Sequence, residues 1–155
     1  SPEAATAAIG GTIAEFTASG TVITFPGFRS AYEEGRDEER NADETLSFLQ
    51  EHDLPLVCVD MPQGFDSSIP PIAAATAKDL AVVRFHGRDR EAWAKKNVSA
   101  SERFRYEYSK QELEGWVPRI LDVSDQARET HVLMNNCYRD FAVNNARQLA
   151  DLLEE

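Results

Sequence analysis

The sequence predicts an α/β fold made of parallel βα units, and three observations support this. Near-continuous β-branched apolar runs occur at Leu56–Asp60 and Leu80–Phe85. Segments of helical periodicity separate such runs. Amide and ionisable side chains crowd directly after them. Continuous apolar runs fit strands buried on both faces, as in a parallel sheet. Strands that alternate with helices imply right-handed crossovers. Polar groups just beyond strand ends are what the site loops of such sheets look like.

The elements follow in order. Residues 4–18 read as a helix and Thr21–Phe25 as a first strand. The acidic run Tyr32–Arg40 reads as a surface loop or helix start, and as the most mobile segment. Ala42–Glu51 is a helix with Leu46, Phe48 and Leu49 on or near one side. Leu56–Asp60 is the second strand, and a short Pro-rich connection leads to the third, Leu80–Phe85. Lys110–Arg128 opens on Ser109 and Glu112, a capping-box pair. Its apolar positions Leu113, Trp116, Val117, Ile120, Leu121 and Val123 form a stripe for burial. Pro118 must kink this helix or restart it, because proline cannot donate a backbone hydrogen bond. His131–Asn135 is the fourth strand. Asp140 is the N-cap of a last helix whose inward face carries Ala142, Asn145, Ala146, Leu149, Leu152 and Leu153, with Asn145 bonding to backbone.

The 155 residues suffice for one domain with a real core, and 42% apolar with 28% charged residues is ordinary for a globular chain. No apolar run approaches the length of a membrane span. No basic segment followed by an apolar one opens the chain, so no signal peptide is expected. Cys58 and Cys137 do not make a disulfide framework, and the cytoplasm is the expected location. The net charge of −11 disfavours broad nucleic-acid binding. The charge is uneven, however. Residues 84–105 hold seven of the 16 basic residues against three acids. Such an island is either a local anion site or only a solvated face.

Several ordered pieces carry a family resemblance. They are Val59-Asp60-Met61-Pro62-Gln63, Ser67-Ser68-Ile69-Pro70-Pro71, Val83-Arg84-Phe85-His86-Gly87-Arg88, Trp93, Ser101–Ser109, Glu112-Leu113 with Trp116, Pro118 and Arg119, and Asn135-Asn136-Cys137-Tyr138-Arg139-Asp140 with the tail Ala142–Leu149. On these the chain resembles the DUF72 family of bacterial proteins, also called the YecE family, from about residue 45 to its end. Residues 1–44 are diverged, and the whole reads as a single domain. The resemblance implies a TIM barrel, typically ~250 residues when whole. With about four strands, this chain resembles the second half: a partial, half TIM barrel. The family's Gly-Thr-Ser-Gly-Trp opening and Glu-Ile-Asn-Ser-Thr-Phe-Tyr block have no counterpart. Of its Glu-Phe-Arg-His-x-Ser-Trp segment only Phe28, Arg29 and Ser30 remain. Asp89 stands where the family often has Asn. A half-barrel leaves open edges and one uncovered apolar face. A homo-oligomer or pairing with a complementary half-barrel is therefore expected, or else a rearranged packing of the helix 4–18.

The candidate chemistry lies at the strand ends. His86 and Asp60 are the candidate catalytic residues. His86 titrates near neutrality, and the neighbouring Arg84, Arg88 and Arg90 favour its neutral form, suited to a base. Asp60 is read as orienting His86, acting as a base or binding a metal. The bland alternative is a cap on the Pro62-Gln63-Gly64 turn. Arg88 and Arg139 are the candidate anion clamp, because guanidinium forks match phosphate or carboxylate oxygens. Asn135, Asn136 and Tyr138 complete the candidate ligand-binding set. Cys137 is a weak nucleophile candidate, with no partnered base in evidence. No His-x-His, His-Glu-x-x-His or paired Cys indicates a metal, and no cofactor is implied. The expected function is a TIM-barrel-type pocket that binds, or hydrolyses, a small phosphorylated or anionic substrate. The alternatives are a non-catalytic module for an anionic ligand or, less favoured, nucleic acid, and a structural half-barrel that associates with another chain.

Overall fold

A computed structural model describes residues 38–155 apart from Asp66. The expected helix 4–18, the strand Thr21–Phe25, the Phe28-Arg29-Ser30 fragment and most of the acidic run lie outside these residues. The chain divides into two units, Ser1–Phe48 and Leu49–Glu155. The first is represented only by most of helix α1, Glu38–Glu51, in which Ala42 is buried.

In the second unit, α1 ends in a tight reversal. Leu54 N–H donates to the Leu49 carbonyl at 2.9 Å, and Asp53 takes a left-handed φ of 52°. The Asp53 side chain then accepts from the Lys78 amide. Strands β1 (Val57–Asp60), β2 (Leu80–Phe85) and β3 (Glu129–Met134) form a parallel sheet in the order β1-β2-β3. Between β2 and β3 lie the short helices α2 (Arg90–Ala94), α3 (Ala100–Arg103) and α4 (Lys110–Glu114), then α5 (Val117–Ser124). Helix α6 (Phe141–Glu154) follows β3. Helices connect β2 to its parallel neighbour β3, while β1 reaches β2 through the Pro-rich connection, residues 61–79, without a helix among the described residues.

The register sets the two faces of the sheet. Asp60 lies beside Phe85 and Phe85 beside Met134; Val59 lies beside Arg84 and Arg84 beside Leu133. Side chains alternate along each strand. One face therefore carries Cys58, Asp60, Val83, Phe85, Val132 and Met134. It packs on Tyr108, Leu113, Trp116, Ile120, Leu149 and Leu152. Phe85 meets the rings of Tyr108 and Trp116 edge-on at 5.3 and 5.2 Å. The other face carries Val57, Val59, Val82, Arg84, His131 and Leu133. On this second face burial is uneven, and the expectation of strands buried on both faces holds there for Val59, which is buried, but not throughout. Val57 is 43% exposed and Leu133 48%, which is the open inner face of a partial barrel.

Pro118 restarts the helix. The expected single segment 110–128 is two helices with Gly115 and Trp116 between them, and Pro118 sits in the first turn of α5. That turn needs no donor from its first residues. The capping box forms in both directions between Ser109 and Glu112. Two details of α6 differ from expectation. Asp140 occupies the cap position, but its side chain makes no capping hydrogen bond, and its backbone, at φ −101° and ψ 5°, is not in the extended conformation that a capping residue adopts. Ala146 is exposed, while Asn145, Leu149 and Leu152 are buried.

Candidate functional site

The ladder continues past the strand ends. His86 N–H donates to the Asp60 carbonyl at 2.8 Å, and Asn135 N–H to the Phe85 carbonyl at 2.7 Å. Asp60, His86 and Asn135 thus sit at the same carboxyl edge of the sheet, where α/β folds hold their sites. They do not share a face. Asp60 points to the helix layer with Phe85. His86, two residues beyond Arg84, shares the open face with it, and so does Asn135, two residues beyond Leu133.

On the helix side, Asp60 is 3% exposed and saturated with donors. Arg88 gives it a bidentate pair, Nε to Oδ1 at 2.9 Å and Nη2 to Oδ2 at 2.6 Å. Tyr108 Oη donates to Oδ1 at 2.9 Å and Trp116 Nε1 to Oδ2 at 2.6 Å. Neither oxygen is left to orient His86 or to cap the turn that follows. Arg88 is similarly occupied, because its Nη1 donates to Glu112 at 3.3 Å. The guanidinium expected as half of an anion clamp is therefore neutralised by two carboxylates. These carboxylates also push its pKa up, chiefly through the Asp60 hydrogen bond. Burial beside Asp60 raises the Tyr108 phenol well above its ordinary value, so that it stays a donor. Burial, then the bond to Glu112, pushes Tyr106 up to about 12. Burial pushes Glu112 up, but the donors Tyr106, Ser109 and Arg88 outweigh it and hold the carboxyl below its usual value. A concavity of about 320 Å³ opens on this side, lined by Arg88, Gln111, Glu112, Gly115, Trp116 and Arg119.

Asn136 belongs to the same interior. It is fully buried, and its Nδ2 donates to the Tyr106 carbonyl at 2.9 Å and to Asn145 Oδ1 at 2.8 Å. Asn145 in turn brackets the Tyr108 backbone, accepting from its N–H and donating to its carbonyl. These two amides join the segment 106–108 to α6. This is the backbone role expected for Asn145, and it takes Asn136 out of reach of a ligand.

On the open face, Arg84 Nη2 donates to Asn135 Oδ1 at 3.0 Å, and Asn135 Nδ2 lies 2.9 Å from His86 Nδ1. The His86 ring rests against Phe104 and Trp93, with centroids at 5.4 and 6.0 Å. Burial, then the Arg84 charge, lowers the His86 pKa to about 4 against a small opposing effect of Asp60. The imidazole is therefore neutral at ordinary pH, chiefly through burial, with Arg84 the one of the three neighbouring arginines that adds to the effect. Further along the loop after β3, the guanidinium groups of Arg105 and Arg139 lie 4.7 and 5.3 Å from the centre of the Tyr138 ring. Arg139 and Cys137 are exposed.

Of the residues expected to act together, the structure brings His86 and Asn135 into contact. It keeps Asp60, Arg88 and Asn136 within the helix-side network, and Tyr138 with Arg139 in a neighbouring cation–aromatic cluster. Sequence reasoning named Arg84 as a cation beside His86 but did not place it in the ligand-binding set, although its two-residue spacing from His86 was the available signal. It also missed Tyr108 and Trp116 as partners of Asp60, for which no local signal exists. Among the described residues no His, Cys, Asp and Glu cluster could hold a metal ion, and no helix is long and apolar enough to cross a membrane.

Comparison with known proteins matches residues 27–155 to the family described as "Protein of unknown function DUF72". The UPF0759 protein YunF of Bacillus subtilis (strain 168) is 34% identical over 116 residues, covering 72% of this chain and 41% of that protein. A crystal structure of a DUF72 family protein from Thermotoga maritima MSB8 superposes with a TM-score of 0.65 at 34% identity, covering 80% of this chain and 44% of the other. One from Enterococcus faecalis V583 gives 0.63 at 28% identity, covering 82% and 46%. The chain spans less than half the length of each of these proteins.

Proposed function

The chain belongs to the DUF72 family, whose activity is undefined, and from the geometry of its strand ends we propose that it binds a small anionic or phosphorylated ligand on the open face of the sheet. The observation that carries this reading is the Arg84–Asn135–His86 chain. It sets a cation and two polar groups side by side at the carboxyl edge, next to an aromatic wall. Donors fixed in place before the ligand arrives lose little freedom on binding it. Arg139 and Tyr138 supply a second, exposed cationic contact. Asp60 supports the site indirectly, by holding Arg88 and the turn at Gly87. Hydrolysis of the ligand, with His86 beside the scissile group, is the enzymatic form of the same reading. The two unpaired cysteines, one buried and one exposed, accord with a cytoplasmic setting. The test is a titration of the whole chain with inorganic phosphate and a phosphomonoester, followed by calorimetry. Micromolar to millimolar binding that weakens with salt and is lost in Arg84→Ala supports the proposal; no binding by the unaltered chain ends it.

A second reading rests on a different observation. Val57 and Leu133 lie exposed on the open face, where a whole barrel would enclose them. Association with a second copy or a complementary half-barrel would cover them. Sedimentation across a hundredfold concentration range tests this: a monomer at every concentration removes it.

A further inference from the structure

A guanidinium can only donate hydrogen bonds. The Asn135 atom 3.0 Å from Arg84 Nη2 must therefore be its oxygen. The opposite end of the amide, 2.9 Å from His86 Nδ1, must then be the NH2 group. An amide NH2 has no lone pair to offer, so Nδ1 has to accept. A nitrogen that accepts carries no proton, and the remaining proton of the neutral imidazole sits on Nε2. Protonating Nδ1 would set two donors against each other. Among the described residues Nε2 has no hydrogen-bond partner.

We infer that Arg84, acting through Asn135, locks His86 in the tautomer that carries its proton on Nε2, so that the site presents an N–H donor and takes an acceptor oxygen of its ligand: a phosphoryl, carboxylate or carbonyl oxygen. This inference builds on the proposed anion site and changes the part His86 plays in it. The sequence suggested a base, but a base needs a free lone pair facing the ligand, and here the lone pair is spent on Asn135. The group supplied is an electrophilic donor, which polarises a carbonyl or steadies negative charge without moving its own proton. Arg84 and Asn135 are positioning residues. The charged groups near the ring are Arg84 from β2 and Asp60 from β1, while Trp93 and Phe104 are uncharged. The same arrangement disfavours a cation at His86, since ligation through Nε2 would require the bound proton to leave while Nδ1 gains none.

Long-range proton–nitrogen NMR of the full chain reads the tautomer directly, without any ligand. The unaltered protein should show Nε2 protonated and Nδ1 bare throughout pH 5.5–8. A protonated Nδ1, or an even mixture, overturns the inference. Asn135→Asp places an acceptor at both ends and should move the proton to Nδ1 and bring the ring's titration into this range. Arg84→Met frees the amide to rotate and should give mixed tautomers; a ring unchanged in both folded variants also overturns it. Sulfate, which does not itself titrate in this range, is the binding probe. Its affinity should be constant from pH 5.5 to 8 in the unaltered chain and fall tenfold or more in Asn135→Asp. Sulfate affinity that instead rises as the pH drops through 6.5 identifies a charged imidazolium and sinks the inference. Sulfate that does not bind at all, with Nε2 still protonated, sinks the anion site and leaves the tautomer assignment standing.

Discussion

The indole N–H of Trp116 donates to Asp60 Oδ2 at 2.6 Å across 56 positions of sequence. With Arg88 and Tyr108 it makes the Asp60 carboxylate a fully satisfied buried anion. Removing such a carboxylate strands its partners. Asp60→Ala leaves the buried Tyr108 hydroxyl and Trp116 N–H unpaired while Arg88 keeps Glu112, so a loss of about 2–5 kcal/mol is expected, about 1–3 kcal/mol for each stranded group. Trp116→Phe removes one donor and keeps most of the apolar contact, so about 1–3 kcal/mol is expected. Urea unfolding measures both. A loss under about 1 kcal/mol in Asp60→Ala would show that the network is dispensable.

Gly87 and Gly64 share a left-handed backbone, with φ of 92° and 87°, but differ in their surroundings. A Cβ at Gly87 would lie 2.5 Å from the Tyr106 Cβ, which cannot swing away. A Cβ at Gly64 would meet only the end of the Arg90 side chain at 3.1 Å. Both alanine variants carry backbone strain of about 1–3 kcal/mol. Gly87→Ala should lose about 1–3 kcal/mol more from overpacking. It should also loosen the bond from Gly87 N–H to Tyr108 Oη. Thermal melts of the two variants side by side check the ordering; equal losses would contradict it.

Stability should fall as the solution is acidified. The folded pKa of His86 is near 4, below the ordinary 6.5, so between these values the unfolded chain binds the proton more readily. The neutral ring's contribution is therefore complete above about pH 6.5 and is lost as the pH drops toward 4. Glu112 acts in the same direction lower down. Its carboxyl is held below the usual 4.5, so its contribution is present above that value and disappears below it. Unfolding free energies of the unaltered chain and His86→Gln, compared from pH 4 to 8, isolate the first part. Their difference should grow up to about pH 6.5 and then level off. A difference that shrinks with rising pH would mean a stabilised imidazolium.

Ser109→Ala removes the hydroxyl that accepts from Glu112 N–H and donates to the Glu112 carboxylate. A lost N-cap costs about 0.5–2 kcal/mol, and chemical denaturation should show a loss in that range. Glu112 also holds Tyr106 and Arg88, so Glu112→Ala should cost more than Ser109→Ala. The reverse order would confine Glu112 to its capping role.

The elements were readable where the signal is local. Leu80–Phe85 stood out because one apolar run spans the strand, and Ser109 with Glu112 because a cap lies within a single turn. The convergence of Asp60, His86 and Asn135 on one edge followed from all three standing just after strands. Their division between two faces did not, because it depends on Asp60 pairing with Phe85 and not with Arg84, and register is a property of the assembled sheet. Arg88 looked like a free clamp because the carboxylates that neutralise it lie 28 positions before it and 24 after. Pro118 signalled a break in the helix; what the break does, setting the indole of Trp116 against Asp60, is visible only in three dimensions.

The long reach of Asp60 also bears on synthesis. A ribosome adds roughly 5–20 residues per second, so roughly 3–11 s separate the emergence of Asp60 from that of Trp116. Through that interval the carboxylate stays hydrated and β1 cannot be sealed beneath the helices. The nascent chain must keep β1 wet until the turn that carries Trp116 has emerged.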